Sequence, residues 1–119
     1  MDATKITPVL RLNRAEIVDR LGGDDDLFCT LAAMFIDEAS QYQEQLQAMF
    51  TAKNPGQLGR EAHTVKGLFS TFSYEPGAAC ALEVEEKAYA SEFANLDSKL
   101  DELFAHIQQL ITLLQREIA

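Results

Sequence analysis

The sequence predicts an all-α fold, an antiparallel up-down-up-down four-helix bundle with a short N-terminal capping helix. Apolar residues recur at helical spacing in four long segments, brief connections that contain proline, glycine or asparagine separate these segments, and no segment alternates as a strand does. Helices joined by such short connections pack as antiparallel neighbours. With 119 residues, of which 47% are hydrophobic, the chain is expected to form one domain around a single core.

The N-terminal part is expected to be an extended lead-in over residues 1–12, followed by the bundle domain over residues 13–119. Asn13 is a suitable N-cap for the first short helix, and Glu16 stands three residues later, as in a capping box. Two glycines end this helix, and Asp24 begins the second, long helix with acidic residues in its first turn. The remaining breaks predict a third helix from Pro55 or Gly56 to about Thr71, a fourth from Pro76 to about Ala90 and a fifth from Asn95 or Asp97.

The composition argues against several classes of function. A formal net charge of −9 argues against a nucleic-acid partner, because phosphate backbones attract basic surfaces. No segment is long and uncharged enough to cross a bilayer, and the N-terminus lacks the apolar run of a secretory signal, so the expected compartment is the cytoplasm, with no membrane partner. Cys29 and Cys80 show no metal-ligand spacing with the histidines and are expected to be buried, reduced thiols.

The third helix has one unusual face. At helical spacing its apolar residues form one stripe, and the opposite stripe consists of Gly59, His63, Lys66, Gly67 and Ser70. His63 is therefore expected on the solvent-facing side, on a strip with few side-chain walls. Each glycine inside a helix costs roughly 1 kcal/mol relative to alanine. Close approach of another macromolecule would offset that cost.

Phosphoryl transfer fits the residues on this face. A neutral imidazole has a free ring nitrogen and is a ready nucleophile near neutral pH. Lys66 stands three residues after His63 on the same edge of the helix, and its ammonium group suits a phosphoryl group whose charge changes position. Thr64 and Ser70 are expected at the rim of the site. The other interpretation of Lys66 is an ordinary surface lysine paired with an acid.

The string Ala62-His63-Thr64-Val65-Lys66-Gly67 closely resembles the central motif of histidine-containing phosphotransfer (HPt) domains. The resemblance extends to the preceding region, where residues 13–24, Leu27-Phe28 and residues 34–38 look like the lead-in typical of such domains. It therefore covers nearly the whole chain beyond the first dozen residues.

The chain departs from the family pattern just after this motif. Leu68 and Phe69 stand where small residues are usual, and Ser73 stands where glycine is usual. By helical angle, Phe69 belongs to the buried stripe and Leu68 to its edge. These departures concern the end of the helix rather than the phosphorylation site.

The resemblance implies a phosphocarrier. His63 would accept a phosphoryl group from the phospho-aspartate of a receiver domain and pass it to another receiver, with partners among the receiver domains of a hybrid sensor kinase and of response regulators. Mg²⁺ is expected on the partner receiver, and no bound cofactor or metal is expected on this chain. Because the sequence has no glycine-rich phosphate loop and no candidate Mg²⁺ cage, no autokinase activity is expected.

Glu85, in the fourth helix, is expected at the centre of an apolar stripe, where a carboxylate needs a partner. A hydrogen bond to the far ring nitrogen of His63 would fix the tautomer and leave the outer nitrogen as the nucleophile. Exposure to solvent, or pairing with a lysine, is an equal alternative for Glu85. The position is also similar to a glutamate in the phosphotransfer domain of chemotaxis-type histidine kinases, a subfamily that Thr71-Phe72 resembles as well. His106 is expected to be structural or merely exposed.

A docking surface for the partner is expected around His63. Part of an apolar group that includes Ile17, Leu21 and Phe28 is expected to surround the histidine, and closure of the core is the other interpretation of each of these residues. Two alternative functions stay open. One is the phosphoacceptor domain of a chemotaxis-type histidine kinase, and the other is a bundle that binds receivers without carrying phosphate.

Overall fold

The structure is a computed structural model that describes residues 11–119. It contains helices α1 (Arg14–Arg20), α2 (Asp25–Thr51), α3 (Pro55–Thr71), α4 (Glu75–Tyr89) and α5 (Leu96–Ile118), and no strand within the described range. The predicted all-α fold is confirmed, and each helix begins within one residue of a predicted position. Of the predicted lead-in, residues 1–10 lie outside the described residues, and Leu12 is buried in the core.

Three helices begin at side-chain caps. A side-chain oxygen of each cap residue accepts a hydrogen bond from a backbone N–H three residues on: Asn13 from Glu16 at 3.1 Å, Asp24 from Leu27 at 2.9 Å and Asn54 from Gln57 at 3.1 Å. Each such cap contributes about 1 kcal/mol. After α3, Ser73 has a φ of 53°, in the left-handed region that favours glycine. This backbone conformation explains why glycine is usual at this position in the resembled family.

Helices α2, α3, α4 and α5 form a closed ring in which each helix packs against two neighbours. Contacts between α3 and α4 run in opposite chain directions, because Gly59 lies against Tyr89 and His63 lies against Glu85. These two helices are therefore antiparallel, and the equally short connections elsewhere fit the same arrangement. Helix α1 packs against α2, and Arg20 reaches from it to the backbone carbonyls at the C-terminal end of α3.

Helices α3 and α4 approach each other closely because glycines stand at their contact. A Cβ atom on Gly59 of α3 would lie 2.5 Å from the ring of Tyr89, and one on Gly77 of α4 would lie 2.7 Å from the ring of Phe69. Neither glycine could carry a side chain unless the facing ring moved. These two residues therefore set the distance between the helices that carry the candidate site.

The core runs along the axis of the bundle and takes in two residues that the sequence analysis placed at the docking surface. Ile17 and Phe28 are fully buried, and Phe28 packs edge-on against Phe72 with ring centroids 6.2 Å apart. The docking prediction was therefore wrong for both, and closure of the core is the interpretation that holds, because α1 directs Ile17 and the first turn of α2 directs Phe28 into the bundle. Leu21 is half-buried and packs against the same core.

Residues 11–119 contain neither a candidate membrane span nor a candidate metal cluster. No helix of this part of the chain is long and apolar enough to cross a membrane. Nor do three or more histidine, cysteine or acidic side chains come together there in a way that could hold a metal ion. Both cysteines are free thiols, with Cys80 buried as predicted and Cys29 only half-buried.

Candidate functional site

His63 lies near the middle of α3 with its imidazole directed to solvent. The side chain is 63% exposed, whereas Val65 on the opposite stripe is fully buried. The solvent-facing position predicted from the helical period is therefore confirmed. Gly67 and Ser70 are also exposed on this side, and a Cβ atom on Gly67 would meet nothing within 4 Å. The C-terminal half of the His63 face is thus open, as predicted.

Glu85 of α4 contacts two residues of this face. Its Oε2 lies 3.0 Å from Nδ1 of His63, and its Oε1 lies 3.0 Å from Nζ of Lys66. The Glu85 side chain is only 15% exposed, so these two contacts satisfy a carboxylate that is largely removed from water. Both interpretations of Glu85 therefore hold at once, since it contacts the histidine and pairs with a lysine. It stands at the edge of the buried stripe rather than at its centre, because Leu82 and Tyr89 are exposed.

The contact with Glu85 determines the tautomer of His63. An ionised carboxylate only accepts hydrogen bonds, so Nδ1 of His63 must carry the proton that it donates. The neutral ring then has its lone pair on Nε2, the nitrogen farther from Glu85. If Nε2 forms a bond to an electrophile, the ring becomes positively charged and the adjacent carboxylate stabilises that charge.

Lys66 lies on the same side of the bundle as His63, as predicted. Its ammonium group has three donors, of which one is directed at Glu85, and its side chain is 27% exposed. Two donors therefore remain for a ligand. Because Glu85 contacts both residues, it fixes the lysine and the imidazole relative to each other.

A cleft of about 410 Å³ opens beside His63, towards the N-terminal end of α3. It is lined by Arg60, His63, Thr64, Glu85 and Tyr89. Gly59 does not offer open backbone here, because it is buried under the Tyr89 ring. The prediction that Gly59 serves the approach of a partner is therefore wrong. This glycine instead allows α4 to pack against α3.

Two residues that line the cleft were not predicted from the sequence. Arg60 stands three residues before His63, a spacing that places both on one side of a helix, so the signal was present. Tyr89 follows Glu85 by four residues and must face α3 wherever Glu85 does. The spacing of Tyr89 from Glu85 becomes informative only once the contact between Glu85 and His63 is known. Thr64, predicted at the rim, is exposed and donates its hydroxyl hydrogen bond to the Arg60 carbonyl at 3.1 Å.

An apolar groove between α2 and α3 lies close to the open half of the face. It has a volume of about 140 Å³, and its lining includes Leu31, Met34, Leu68 and Thr71. Met34 is 49% exposed, and Leu68 directly follows Gly67 in the chain. Exposed apolar surface near the site therefore comes from α2 and α3 rather than from the buried residues predicted for docking.

His106 of α5 has a different environment. It is only 4% exposed, and its Nδ1 lies 2.9 Å from the hydroxyl oxygen of Tyr74 inside the core. Burial lowers the pKa of His106, against an opposing effect of Glu102, and Lys99 lowers the pKa further. Of the two interpretations of His106, structural or merely exposed, the structural one is confirmed.

Comparison with known proteins gives two matches. Residues 30–117 match the family model of the Hpt domain. The structure is similar to the crystal structure of histidine-containing phosphotransfer protein B (HptB) from Pseudomonas aeruginosa PAO1, with a TM-score of 0.82, 19% sequence identity, and coverage of 92% of this chain and 96% of that chain. The comparison with curated proteins gave no match.

The matched region contains the elements described above. The family model covers α3 and α4 completely, together with nearly all of α2 and α5. The similarity to HptB supports the same helical fold. The chain therefore belongs to the Hpt domain family, the histidine-containing phosphotransfer domains that act as phosphocarriers and interact with receiver domains in phosphorelays.

Proposed function

We propose that His63 is the phosphoacceptor of this domain, taking a phosphoryl group from the phospho-aspartate of one receiver domain and passing it to another. One observation carries the proposal. Nδ1 of His63 lies 3.0 Å from Glu85 on a side chain that is otherwise largely exposed. This contact orients the ring and leaves Nε2 as the nucleophile. The other histidine, His106, is enclosed in the core and is out of reach of a partner.

Phosphoryl transfer exchanges one bond to phosphorus for another. The lone pair of Nε2 forms a bond to phosphorus while the bond from phosphorus to the aspartate oxygen breaks, and that oxygen leaves with the bonding electrons as a carboxylate. The Nδ1 proton stays on the ring, hydrogen-bonded to Glu85. The ring becomes a phosphoimidazolium whose positive charge lies beside the Glu85 carboxylate. Transfer to the second receiver reverses these bond changes.

The ammonium group of Lys66 binds equatorial oxygens of the transferring phosphoryl group through the N–H donors that are not directed at Glu85.

The Mg²⁺ ion that transfer requires belongs to the partner receiver, and this chain carries no cofactor of its own. The partners are receiver domains of a hybrid sensor kinase and of response regulators, and the reaction takes place in the cytoplasm. The chain has no autokinase activity, so incubation with ATP and Mg²⁺ alone is expected to leave His63 unlabelled.

The partner receiver docks over the open half of the face. Gly67 allows its backbone to be approached closely, Ser70 and Thr64 lie at the rim, and Met34 offers apolar surface in the groove that Leu68 also lines. Met34→Glu is expected to slow transfer from a phosphorylated receiver by about tenfold, because it places a charge in an apolar contact. Labelling by phosphoramidate, a small donor that needs no docking, is expected to stay unchanged. Equal slowing with both donors would contradict this docking site.

The acceptor itself is tested by offering a radiolabelled receiver domain, with Mg²⁺, to wild type, His63→Gln and His106→Gln. We expect an acid-labile label on wild type and on His106→Gln, and none on His63→Gln. The two variants carry the same substitution at the two histidines, so each is a matched control for the other. A full label on folded His63→Gln would overturn the assignment. If that variant also kept receiver binding and biological output, the function would be that of an interaction bundle.

The Glu85 contact also favours a second function, that of the phosphoacceptor domain of a chemotaxis-type histidine kinase. A glutamate at this position and Thr71-Phe72 are the features that resemble that subfamily. The two functions differ in the donor. The purified protein is offered a phosphorylated receiver in one reaction, and a kinase catalytic domain with ATP in another. Labelling by the kinase domain alone would favour this second function over the relay between receivers.

A further inference from the structure

Arg60 differs from the other cations of this acidic protein. The guanidinium group of Arg60 has no carboxylate, hydrogen-bond acceptor or aromatic ring as a partner among residues 11–119. Every other lysine and arginine of that range has at least one such partner or another electrostatic interaction. With 19 acidic residues against 10 lysines and arginines in the chain, acids to pair with are abundant. A cation without an acid is therefore unexpected in this chain.

Arg60 is one of the residues that line the cleft beside His63. Arg60 lies about one helical turn before His63 and lines the cleft together with it. Its Nη1 extends back along the helix, 3.6 Å from where a Cβ atom on Gly56 would lie, and no hydrogen bond holds it there. An arginine side chain without a partner loses only rotamer freedom when it turns towards a ligand. The guanidinium is thus available to a group bound on His63.

Phosphorylation of His63 would leave the site with a net negative charge. Lys66 and Glu85 form an ion pair, so together they contribute no net charge. A phosphoryl group on His63 adds up to two negative charges to a chain whose net charge is already −9. The imidazolium offsets one of these charges. Arg60 is the one described cation of the cleft lining that can offset the other, and its planar group can bind two phosphoryl oxygens at once.

The other lining residues cannot supply that charge. The Thr64 hydroxyl already donates a hydrogen bond to a backbone carbonyl, and Glu85 would repel an anion. Tyr89 has no cationic group, and its ring lies over Gly59 and lines the cleft. Lys66 contacts Glu85 but is not among the lining residues, so Arg60 is the cation that lines the cleft.

We propose that Arg60 binds the phosphoryl group after its transfer to His63 and thereby stabilises the phosphorylated form of the domain. The inference rests on the proposed function, since it assumes that His63 is the acceptor. Arg60 forms no covalent bond and moves no proton in this role. It donates two hydrogen bonds to phosphoryl oxygens while the nitrogen–phosphorus bond is intact, and it returns to solvent when the group leaves.

The test compares equilibrium occupancies rather than rates. Wild type and a variant are mixed at equal concentration, loaded from phosphoramidate, and allowed to exchange through a catalytic amount of a receiver domain with Mg²⁺. Intact-mass spectrometry then measures how the phosphoryl groups divide between the two chains. This ratio depends only on how stable each phosphorylated form is relative to its own unphosphorylated form, because the receiver acts as a catalyst and changes forward and reverse rates equally.

At equilibrium, the phosphorylated fraction of Arg60→Gln is expected to be about five- to tenfold lower than that of wild type. A change of this size corresponds to the loss of a charge-assisted contact to phosphate at a partly exposed site. Arg60→Lys should recover part of the loss, because lysine supplies charge without the fork geometry. The control is Lys87→Gln on α4, which makes the same change in net charge at a lysine paired with Glu92, and it should match wild type. In 1 M salt the deficit of Arg60→Gln should shrink, because the screening length falls to about 3 Å.

Equal division of phosphoryl groups between wild type and folded Arg60→Gln would overturn the inference. If the rates fell while the division stayed equal, Arg60 would be a docking residue instead. A loss of the same size in Lys87→Gln would show a general effect of net charge and would also overturn it. None of these results touches the assignment of the acceptor, which fails only if His63→Gln takes up phosphoryl groups as wild type does.

Discussion

The two histidines of this chain make similar contacts in opposite surroundings. Nδ1 of His63 lies 3.0 Å from a carboxylate oxygen of Glu85, and Nδ1 of His106 lies 2.9 Å from the hydroxyl oxygen of Tyr74. Yet the side chain of His63 is 63% exposed, whereas His106 is 4% exposed. The two side chains therefore differ in their access to a partner rather than in having a hydrogen bond at Nδ1.

Access and the charge of the partner make the difference. At His63, the partner is an anion that can stabilise the positive ring of a phosphorylated histidine, and the other nitrogen faces solvent. At His106, the partner is a hydroxyl, and burial lowers the pKa of the ring. A phosphorylated ring at His63 would thus lie beside an anion, whereas burial disfavours a charged ring at His106. The following predictions test this contrast.

The largest effect is expected from removal of the anionic partner. Glu85→Gln keeps a carbonyl oxygen that can accept from Nδ1 but removes the negative charge, so we expect phosphoryl transfer to His63 to slow by about 10- to 100-fold. Single-turnover transfer from a phosphorylated receiver measures this rate. An unchanged rate would mean that Glu85 only positions the ring and that its charge has no role.

The matched change at the buried histidine is Tyr74→Phe. It removes the hydroxyl and leaves Nδ1 of His106 without a partner inside the core. We expect the free energy of unfolding to fall by about 1–3 kcal/mol, while the transfer rate stays within about twofold of wild type. Urea denaturation and the same single-turnover assay give both values. Slow transfer in this variant would show that the hydrogen bond of the buried histidine also affects the reaction at His63.

A somewhat smaller effect is expected at the glycines on either side of His63. Gly59→Ala places a Cβ atom 2.5 Å from the Tyr89 ring, so we expect it to destabilise the fold by about 1–3 kcal/mol, and Tyr89→Ala should relieve most of that loss. Gly67→Ala meets nothing within 4 Å and should stabilise the helix by about 1 kcal/mol while slowing transfer from a receiver. If both alanine variants lost the same amount of stability, the contrast between a packed Gly59 and an open Gly67 would be wrong.

The smallest effect is the pH dependence caused by His106. Its pKa in the folded protein lies below the ordinary value of 6.5, so the folded state binds fewer protons than the unfolded state once the pH falls below that value. The free energy of unfolding should therefore be unaffected by this group above about pH 7 and fall by about 1 kcal/mol as the pH drops towards 5.5. The loss ends once the pH passes below the folded-state pKa.

Urea denaturation of wild type and His106→Gln between pH 7.5 and 5.5 measures this effect. The variant should show a shallower decline than wild type, and the difference between the two curves isolates His106 from the other groups. A parallel decline in both proteins would show that the buried histidine does not carry the pH dependence. His63→Gln serves as the matched comparison at the exposed site.

Local patterns determined much of the fold and half of the site. Helical period and cap residues act within a few neighbours along the chain. They determine the starts of the five helices in residues 11–119, the buried stripe that contains Val65 and the exposure of His63. Lys66 and Gly67 were identified in the same way. The direction in which a side chain points from its own helix could therefore be predicted from the sequence.

The remainder required knowledge of how the helices pack. The position of Glu85 between His63 and Lys66 depends on the register of α4 against α3, which no period along one segment can specify. The burial of Gly59 under Tyr89 depends on the distance between the same two helices. These contacts join residues of two different helices, so a period along one segment carries no information about them.

The sequence by itself determined that this chain is a helical bundle with an exposed histidine beside a lysine and a glycine. Only the tertiary structure decided that Glu85 holds that histidine, that Ile17 and Phe28 belong to the core, and that Arg60 stands unpaired beside it among the described residues. The physical reason is that helical period fixes the direction of a side chain around its own axis. The neighbour that it meets is fixed by the packing of a second helix.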